Sequence, residues 1–473
     1  MKSDSVRVQF LIRIAVGLAA AALIAWASAA HGLRFVDLIS FSRRARELGE
    51  GRAPNDGLYP LGYPALLALG HTLGAAVFPW AKVISGLAGL GLVAGVGRRH
   101  GGAAAIWLLM QVPLLQWAST EGTDLLAAAL SLGAILSVQR PVLAGAMLGA
   151  ACTVRWTAAA WIPALWLATA PGDRRRALLA ALVGTAPHWV ACAWCGAWVL
   201  PNQDLNLMIA AGPGAPPPGG SRWLDTLTRI PVGLGRALPH ALPDLPSRAG
   251  AAMLGIAVLL PVHDKAGRGD RRIAAALILG ALLHLLALAA VFANPRLALP
   301  VTLAALLGAG ALVRTLAAQS RRIGWIGVAG LLLAAGVVGW GSLPTRRAPT
   351  KEEATLTRLT DAFGEAGGAP QGEAVMSNSP WAHTEFEGWI VPAVHLGGLY
   401  VTPRTTPSDL AKIADDAGLT MLVLDPARGR RDLAGLRELF DAKAPEVYGW
   451  SRRSASSWRI WVRLPAAKVP PTR

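Results

Sequence analysis

Apolar runs long enough to cross a membrane alternate with short clusters of basic residues along most of the chain. The first run extends from Phe10 to Ala30 and is flanked by Lys2, Arg7 and Arg13. Cytoplasmic flanks of membrane helices are enriched in Lys and Arg, so this flank predicts a cytoplasmic N-terminus. The loop that follows, from about residue 31 to 59, is then predicted to lie outside.

The later basic clusters predict where the chain returns to the cytoplasm. They lie at 98–100, 140, 174–176, 265–272 and 314–322. If each cluster is cytoplasmic, the apolar segments between them form hairpins, and about eleven membrane helices result. The scheme leaves Tyr59–Pro79 along the outer surface and treats Pro201–Arg248, which is rich in turn formers, as an outer loop. The predicted spans are 10–30, 80–97, 102–117, 125–138, 142–152, 157–170, 177–200, 250–262, 273–292, 297–312 and 323–340.

Composition agrees with a chain that lies mostly in lipid. Of the 473 residues, 53% are apolar and 15% are charged, and the mean hydropathy is +0.43. Soluble domains carry about 25% charged residues, so an ordinary soluble enzyme is excluded, and the apolar content excludes disorder. The net charge of +17 could suit nucleic acid. The basic residues separate apolar runs instead of lining one face, however, so no nucleic-acid partner is predicted.

The composition changes after about residue 343, where long apolar runs end and charged residues become frequent. We therefore predict an all-α polytopic membrane domain over residues 1–343 and a small α/β domain over residues 344–473, on the outer face. The elements predicted for this second domain are a helix over 410–417, a buried strand over 420–424, a helix over 433–443 and a final strand over 458–464.

The first outer loop mixes apolar and charged residues at near-helical spacing, which predicts an amphipathic helix at the membrane interface. Asp37 begins this stretch, and an ionisable group beside the membrane is a candidate for function. The alternative is that Asp37 pairs with Arg34 or Arg44 while the basic residues contact lipid headgroups. Tyr59 and Tyr63 follow, two of only four tyrosines. On their own they could be aromatic anchors at the interface.

Two further sets of charged residues fall at predicted outer ends of spans. Glu121 and Asp124 share a tight turn, where carboxylates could coordinate a cation or orient a sugar hydroxyl, or could simply be solvated. Arg155 and Arg296 are lone cations in outward positions, which suits binding of an anion such as phosphate. Both could instead extend to lipid headgroups. His284, in the middle of a span, is predicted to be a packed or hydrogen-bonded histidine and not a ligand.

Several of these stretches, in this order, resemble the C-type integral-membrane glycosyltransferases, which include the protein O-mannosyltransferases and the aminoarabinose transferases of lipid A. The similar stretches are distributed over most of the chain. The sequence departs from the family at Asp37–Leu38, where many relatives have an acidic pair, and at Leu297, where the family has tyrosine. The similar stretches are Asp37, Arg46–Gly51, Tyr59–Leu67, Thr120–Leu126, Leu143–Arg155, Asn294–Pro300 and Met421–Asp425.

The resemblance implies a GT-C fold and a glycosyltransferase on the outer face of a bacterial inner membrane, with the second domain in the periplasm. It implies a polyprenyl-phosphate-linked sugar as donor and a lipid or glycan hydroxyl as acceptor. The sugar, a hexose or a pentose, stays open. No cofactor is certain, and a divalent cation is allowed although no residue is assigned to a metal.

Such a transfer needs a base for the acceptor hydroxyl and a cation for the leaving phosphate, and we assign these roles to particular residues. Asp37 would be the base that deprotonates the acceptor, and Arg155 and Arg296 would hold the leaving phosphate. The remaining substrate contacts would be Tyr59, Tyr63, Glu121 and Asp124.

Two other function classes stay open from the sequence. A lipid or glycan transporter or flippase would need polar residues at mid-membrane on several spans and internal inverted repeats. Neither feature is apparent in the sequence. A non-catalytic membrane scaffold that acts through its second domain would make Asp37 and Arg296 dispensable.

Overall fold

A computed structural model describes the chain in part. The chain forms two compact units. One comprises Met1–Gly32, Phe41–Ala211 and Pro216–Arg347, and the other comprises Leu33–Ser40, Gly212–Ala215 and Ala348–Arg473. The described residues are 17, 21–22, 24–25, 37–49, 51, 59–75, 77–120, 122–196, 198–200, 222–259, 265–291, 296–308, 351–367, 375–377, 390–392, 406–416, 420–425, 437–440, 446–447, 449–454 and 458–464.

Up to residue 308 the described chain is helical, as the sequence predicts. Short 3-10 helices at Trp156–Trp161 and Pro171–Asp173 link some of the helices. The α-helices are α1 Asp37–Gly49, α2 Gly62–Thr72, α3 Val77–His100, α4 Gly102–Leu109, α5 Val112–Ala118, α6 Asp124–Leu136, α7 Pro141–Val154, α8 Ile162–Ala168, α9 Arg174–Gly184, α10 Ala186–Trp194, α11 Arg222–Ala241, α12 Leu245–Leu259, α13 Lys265–Val291 and α14 Leu299–Gly308.

Three helical segments of the described chain are long and apolar enough to cross a membrane: Pro79–His100, Pro171–Trp194 and Asp270–Ala290. Four shorter apolar helices coincide with other predicted spans. The span predicted over 323–340 lies outside the described residues, as does most of the one over 10–30. The total of eleven spans therefore stays a prediction.

An ion pair links two of the basic clusters from which the topology was predicted. Arg99 at the end of α3 donates to Asp270 in the first turns of α13 at 2.8 Å. The end of α3 and the beginning of α13 therefore lie on the same side of the helical unit. The hairpin scheme requires this, because it assigns both clusters to the cytoplasm.

Proline positions divide some of the predicted spans. The span predicted over 102–117 consists of α4 and α5, which are separated at Met110 and Gln111 just before Pro113. Pro187 lies in the first turn of α10, just after α9 ends. Proline lacks the N–H that a helix interior needs but suits the first turn of a helix, so each break falls immediately before a proline.

The prediction of a loop over residues 201–248 is wrong for part of this segment. Residues 222–241 form helix α11, which contains Pro231 and Pro239. Its buried Ala237 and Ala241 pack against Leu285 and Leu288 of α13. The amphipathic spacing of this segment was present in the sequence, but the two prolines and the Gly-Pro-rich stretch before it favoured a loop.

Helices α7 and α9 approach each other through small residues. Gly145 and Gly149, spaced as in the Gly-xxx-Gly motif of membrane helices, face the backbone of α9. A Cβ at Gly149 would overlap the carbonyl oxygen of Ala181, and one at Gly184 would overlap that of Ala146. The close contact fixes the end of α7, where Arg155 begins the next segment.

Gly149→Ala is expected to destabilise the protein by about 1–3 kcal/mol, because a backbone carbonyl cannot move aside as a flexible side chain can. Gly91→Ala is the matched control. Gly91 lies inside α3 with no atom within 4 Å of an added Cβ, so alanine there should be neutral or stabilising. Thermal unfolding of both purified variants in detergent checks this, and equal melting temperatures would contradict the contact.

The chain from residue 351 onward forms a small mixed sheet with helices. The six strands have the order β2-β1-β3-β6-β5-β4, with β1 parallel to β2 and β3 and the other neighbours antiparallel. The elements are α15 Lys351–Glu365, β1 Val375–Ser377, β2 Ile390–Pro392, α16 Pro407–Asp416, β3 Met421–Leu424, α17 Arg437–Phe440, β4 Glu446–Val447, β5 Trp450–Ser454 and β6 Arg459–Arg463.

The two strands predicted here are confirmed as β3 and β6, which pair with each other. Leu359 and Phe363 of α15 pack against Val423 of β3 and Ile460 of β6. The helix predicted over 410–417 is confirmed by α16. Of the helix predicted over 433–443, the structure describes Arg437–Phe440.

Candidate active site

A small open cleft lies within the helical unit, where several chain segments converge. The start of α6, the end of α7, the middle of α13 and the turn before α14 all contribute to it. Two of the arginines and one of the carboxylates that the sequence predicts for the site line this cleft. Its polar lining residues are Asp124, Ser131, Arg155, Thr157, His284 and Arg296.

Asp124 and Arg155 form a buried ion pair in the cleft. Arg155 Nη2 donates to Asp124 Oδ1 at 2.6 Å, and the two side chains are 11% and 5% exposed, respectively. The prediction that Arg155 is a lone cation is therefore wrong, and so is the alternative that Asp124 is a solvated turn residue. The pairing joins residues 31 positions apart, which sequence spacing alone does not reveal. Within the described chain, the buried Arg155 Nε has no hydrogen-bond partner.

Tyr59 lies close to two guanidinium groups. The Cζ atom of Arg44 is 4.9 Å from the Tyr59 ring centroid, and that of Arg155 is 5.7 Å from it. Phe41 packs against both tyrosine rings, with centroid distances of 4.6 Å to Tyr59 and 5.2 Å to Tyr63. Arg44 and Tyr63 are fully buried, so neither is the headgroup contact or interfacial anchor that the sequence left open.

A buried histidine that the sequence analysis did not single out holds the turn between the two tyrosines. His188 Nδ1 accepts the backbone N–H of Leu61 at 3.1 Å, and His188 Nε2 lies 3.0 Å from the carbonyl oxygen of Val199. The ring also stacks edge-on against Trp156, the residue after Arg155. His188 therefore joins the Tyr59–Tyr63 turn to the segment that carries Arg155. A single histidine within an apolar run gives no sequence signal of this kind.

His284 bridges two other parts of the cleft wall. Its Nδ1 lies 3.3 Å from the indole nitrogen of Trp161, and its Nε2 lies 2.9 Å from the carbonyl oxygen of Leu297. The prediction of a hydrogen-bonded histidine in mid-span is confirmed. Leu297 directly follows Arg296, which is half-buried at the cleft.

Two predicted site residues are described less fully. Asp37 is the first residue of α1, which confirms the predicted amphipathic helix at this point, but its side chain lies outside the described part of the structure. Glu121 lies outside the described residues altogether. Among the described residues, no group of three or more His, Cys, Asp or Glu side chains could hold a metal ion.

The sequence matches no protein-family model and no curated protein. The fold is similar to that of ArnT from Cupriavidus metallidurans. With its apo crystal structure the TM-score is 0.56 at 14% identity, covering 100% of both chains. With its structure bound to undecaprenyl phosphate the TM-score is 0.57 at 14% identity, covering 97% of this chain and 99% of ArnT. ArnT is a membrane glycosyltransferase with the GT-C fold, and the likeness extends over the whole chain. The chain therefore has the fold of the C-type integral-membrane glycosyltransferases.

Proposed function

We propose that this protein is an integral-membrane glycosyltransferase that moves a sugar from a polyprenyl-phosphate donor to a hydroxyl group of a lipid or glycan acceptor. The observation that carries the proposal is the polar cleft within a GT-C fold, lined by Asp124, Arg155 and Arg296. ArnT, which shares the fold over its full length, has been crystallised with undecaprenyl phosphate. A phosphate of that kind is the leaving group in the reaction proposed for this chain.

The charge of the cleft suits an anionic leaving group. Its described lining contains two guanidinium groups, of Arg155 and Arg296, and one carboxylate, of Asp124. The described lining residues therefore include one more positive group than negative groups. Electrostatic interactions are stronger in a half-buried site than in water, so this charge favours a phosphate oxygen. A guanidinium group can also hold two phosphate oxygens at once.

The proposed reaction needs one base and one stabilised leaving group. Asp37 takes the proton of the acceptor hydroxyl as the oxygen attacks the anomeric carbon of the sugar. The bond from that carbon to the phosphate oxygen breaks, and the electron pair leaves with the polyprenyl phosphate, which Arg155 and Arg296 hold. Attack opposite the leaving group inverts the anomeric configuration. Tyr59 would contact the sugar, and Glu121 and Asp124 would contact the sugar or a divalent cation. The predicted sugar contact of Tyr63 is not proposed, because its side chain is fully buried.

The proposed setting is the outer face of a bacterial inner membrane. The alternation of basic clusters and apolar runs supports about eleven spans and a periplasmic domain over residues 344–473. A donor linked to a polyprenyl chain would enter the cleft from the lipid, and the acceptor would come from the lipid or the periplasm.

Analysis of donor lipids tests the proposed function. A strain that lacks this protein should accumulate a polyprenyl-phosphate-linked sugar, and the wild-type chain should remove the excess. Purified protein in vesicles that contain this lipid and an acceptor extract should release polyprenyl phosphate. A flippase would instead move the lipid across the vesicle membrane without releasing the carrier, and that result would contradict the proposal.

A further inference from the structure

The turn that carries Arg296 packs against α13 through apolar residues, and the His284 side chain of α13 also hydrogen-bonds its backbone. The buried His284 ring contacts Trp161 on one side and the backbone of Leu297 on the other. Arg296 and His284 both line the cleft with Arg155 and Asp124. The position of Arg296 therefore depends on what holds this turn.

The partners of His284 determine its protonation. The indole N–H of Trp161 can only donate a hydrogen bond, so His284 Nδ1 must accept it. The carbonyl oxygen of Leu297 can only accept, so His284 Nε2 must carry a proton. The ring is therefore neutral, and its Nε2–H group is committed to the backbone of the turn. A ring in this state has no nitrogen left for proton transfer to substrate.

The other end of the bridge is rigid. Trp161 is fully buried, and its ring lies against Gly280, one turn before His284 on α13. A Cβ at Gly280 would overlap that ring. On the far side of the turn, the Thr302 hydroxyl of α14 donates to the carbonyl oxygen of Ala241 at 2.7 Å. The bond from His284 to Leu297 thus connects the Arg296 turn to a packed part of the helical unit.

We propose that His284 is a positioning residue: its neutral ring holds the Leu297 carbonyl so that the preceding Arg296 guanidinium stays in the cleft beside Arg155. This inference rests on the proposed function for the role of Arg296, a phosphate contact, but the geometric part can be tested separately. His284 would act through Arg296 and not on the substrate, because both of its ring nitrogens are engaged by protein groups.

Two substitutions separate the two hydrogen bonds of the ring. The amide of His284→Gln reaches the place of Nε2 and can still donate to Leu297. The shorter amide of His284→Asn reaches the place of Nδ1 and can contact Trp161, but it falls short of Leu297. Both variants are neutral and polar, so a difference between them reports on the bond to the turn.

The first measurement does not depend on catalysis. Purified full-length variants in detergent are treated with trypsin, and cleavage after Arg296 is followed by mass spectrometry. His284→Asn should be cut there at least ten times faster than wild type, whereas His284→Gln should stay protected. Equal protection of all three proteins would overturn the proposal. Thermal unfolding, measured alongside, identifies a variant that is cut because it is unfolded everywhere.

The second measurement uses donor kinetics. Arg296→Ala should raise the KM for the polyprenyl-phosphate sugar by roughly 10- to 100-fold, and Arg296→Lys by less, because lysine keeps the charge without the two-pronged contact. His284→Asn should match Arg296→Ala, His284→Gln should stay close to wild type, and the double variant should be no worse than Arg296→Ala alone. If the KM of the double variant rises by the product of the two single-variant increases, His284 acts independently of Arg296 and the proposal is overturned. If no variant transfers sugar, the proposed function fails, and the cleavage result still decides the role of His284.

Discussion

Asp37→Asn is expected to reduce sugar transfer by roughly 10²- to 10⁴-fold, the usual contribution of a general base. Asp37 is the first residue of α1 and follows the first predicted span, where a lipid-borne donor and a water-borne acceptor can meet. Asparagine has nearly the same shape but cannot take a proton from the acceptor hydroxyl. Because shape is kept, the protein should still fold. Transfer of labelled sugar in membranes with matched protein levels measures the loss.

Asp270→Asn is the matched control for this change. Asp270 is also a carboxylate near a helix end, but it is half-exposed and paired with Arg99, and an exposed ion pair contributes little. The control should transfer sugar at the wild-type rate. If Asp37→Asn does the same, Asp37 is a pairing partner and not a base, and the search for the base moves to Glu121 and Asp124.

Removing one member of the Asp124–Arg155 pair is expected to destabilise the protein by about 3–5 kcal/mol, because a buried charge is left without compensation. Asp124→Asn and Arg155→Gln should each show this loss. The double variant, in which neither charge remains, should regain a large part of the stability. Unfolding of the purified proteins in denaturant measures these differences.

The same double variant distinguishes a structural role of the Asp124–Arg155 pair from a role in sugar transfer. If Arg155 holds the leaving phosphate, restored stability will not restore transfer, and the double variant will stay as inactive as Arg155→Gln. Wild-type transfer by the stable double variant would remove Arg155 and Asp124 from the reaction and leave them as a structural pair.

The elements of the helical unit were largely predictable because apolar runs and basic clusters are local features of the sequence. The exceptions have identifiable causes. Helix α11 contains Pro231 and Pro239, which favour a loop in a sequence-based prediction. The packing of this helix against α13 outweighs the free energy that the two prolines cost it. The predicted span over 102–117 is divided just before Pro113. Proline has no backbone N–H to donate within a continuous helix, so a new helix begins there.

The cleft was predictable only in its residue types. Asp124, Arg155 and Arg296 were each identified as charges in unusual places, and the structure brings them to one cleft. Their partners could not be predicted, since the Asp124–Arg155 pair and the His188 and His284 bridges join residues between 11 and 127 positions apart. Contacts of that kind are set by helix packing, which a single sequence does not specify.

The contact of one tyrosine ring with Arg44 and Arg155 has a consequence for the electronic character of the site. An aromatic face attracts a cation through its quadrupole, so the Tyr59 ring stabilises both guanidinium groups that approach it. Any change in the electron density of this ring alters its attraction for both cations at once. Position 59 is therefore constrained by ring electronics as well as by volume. An aliphatic side chain of similar bulk would fill the space but would offer no ring face to either guanidinium group.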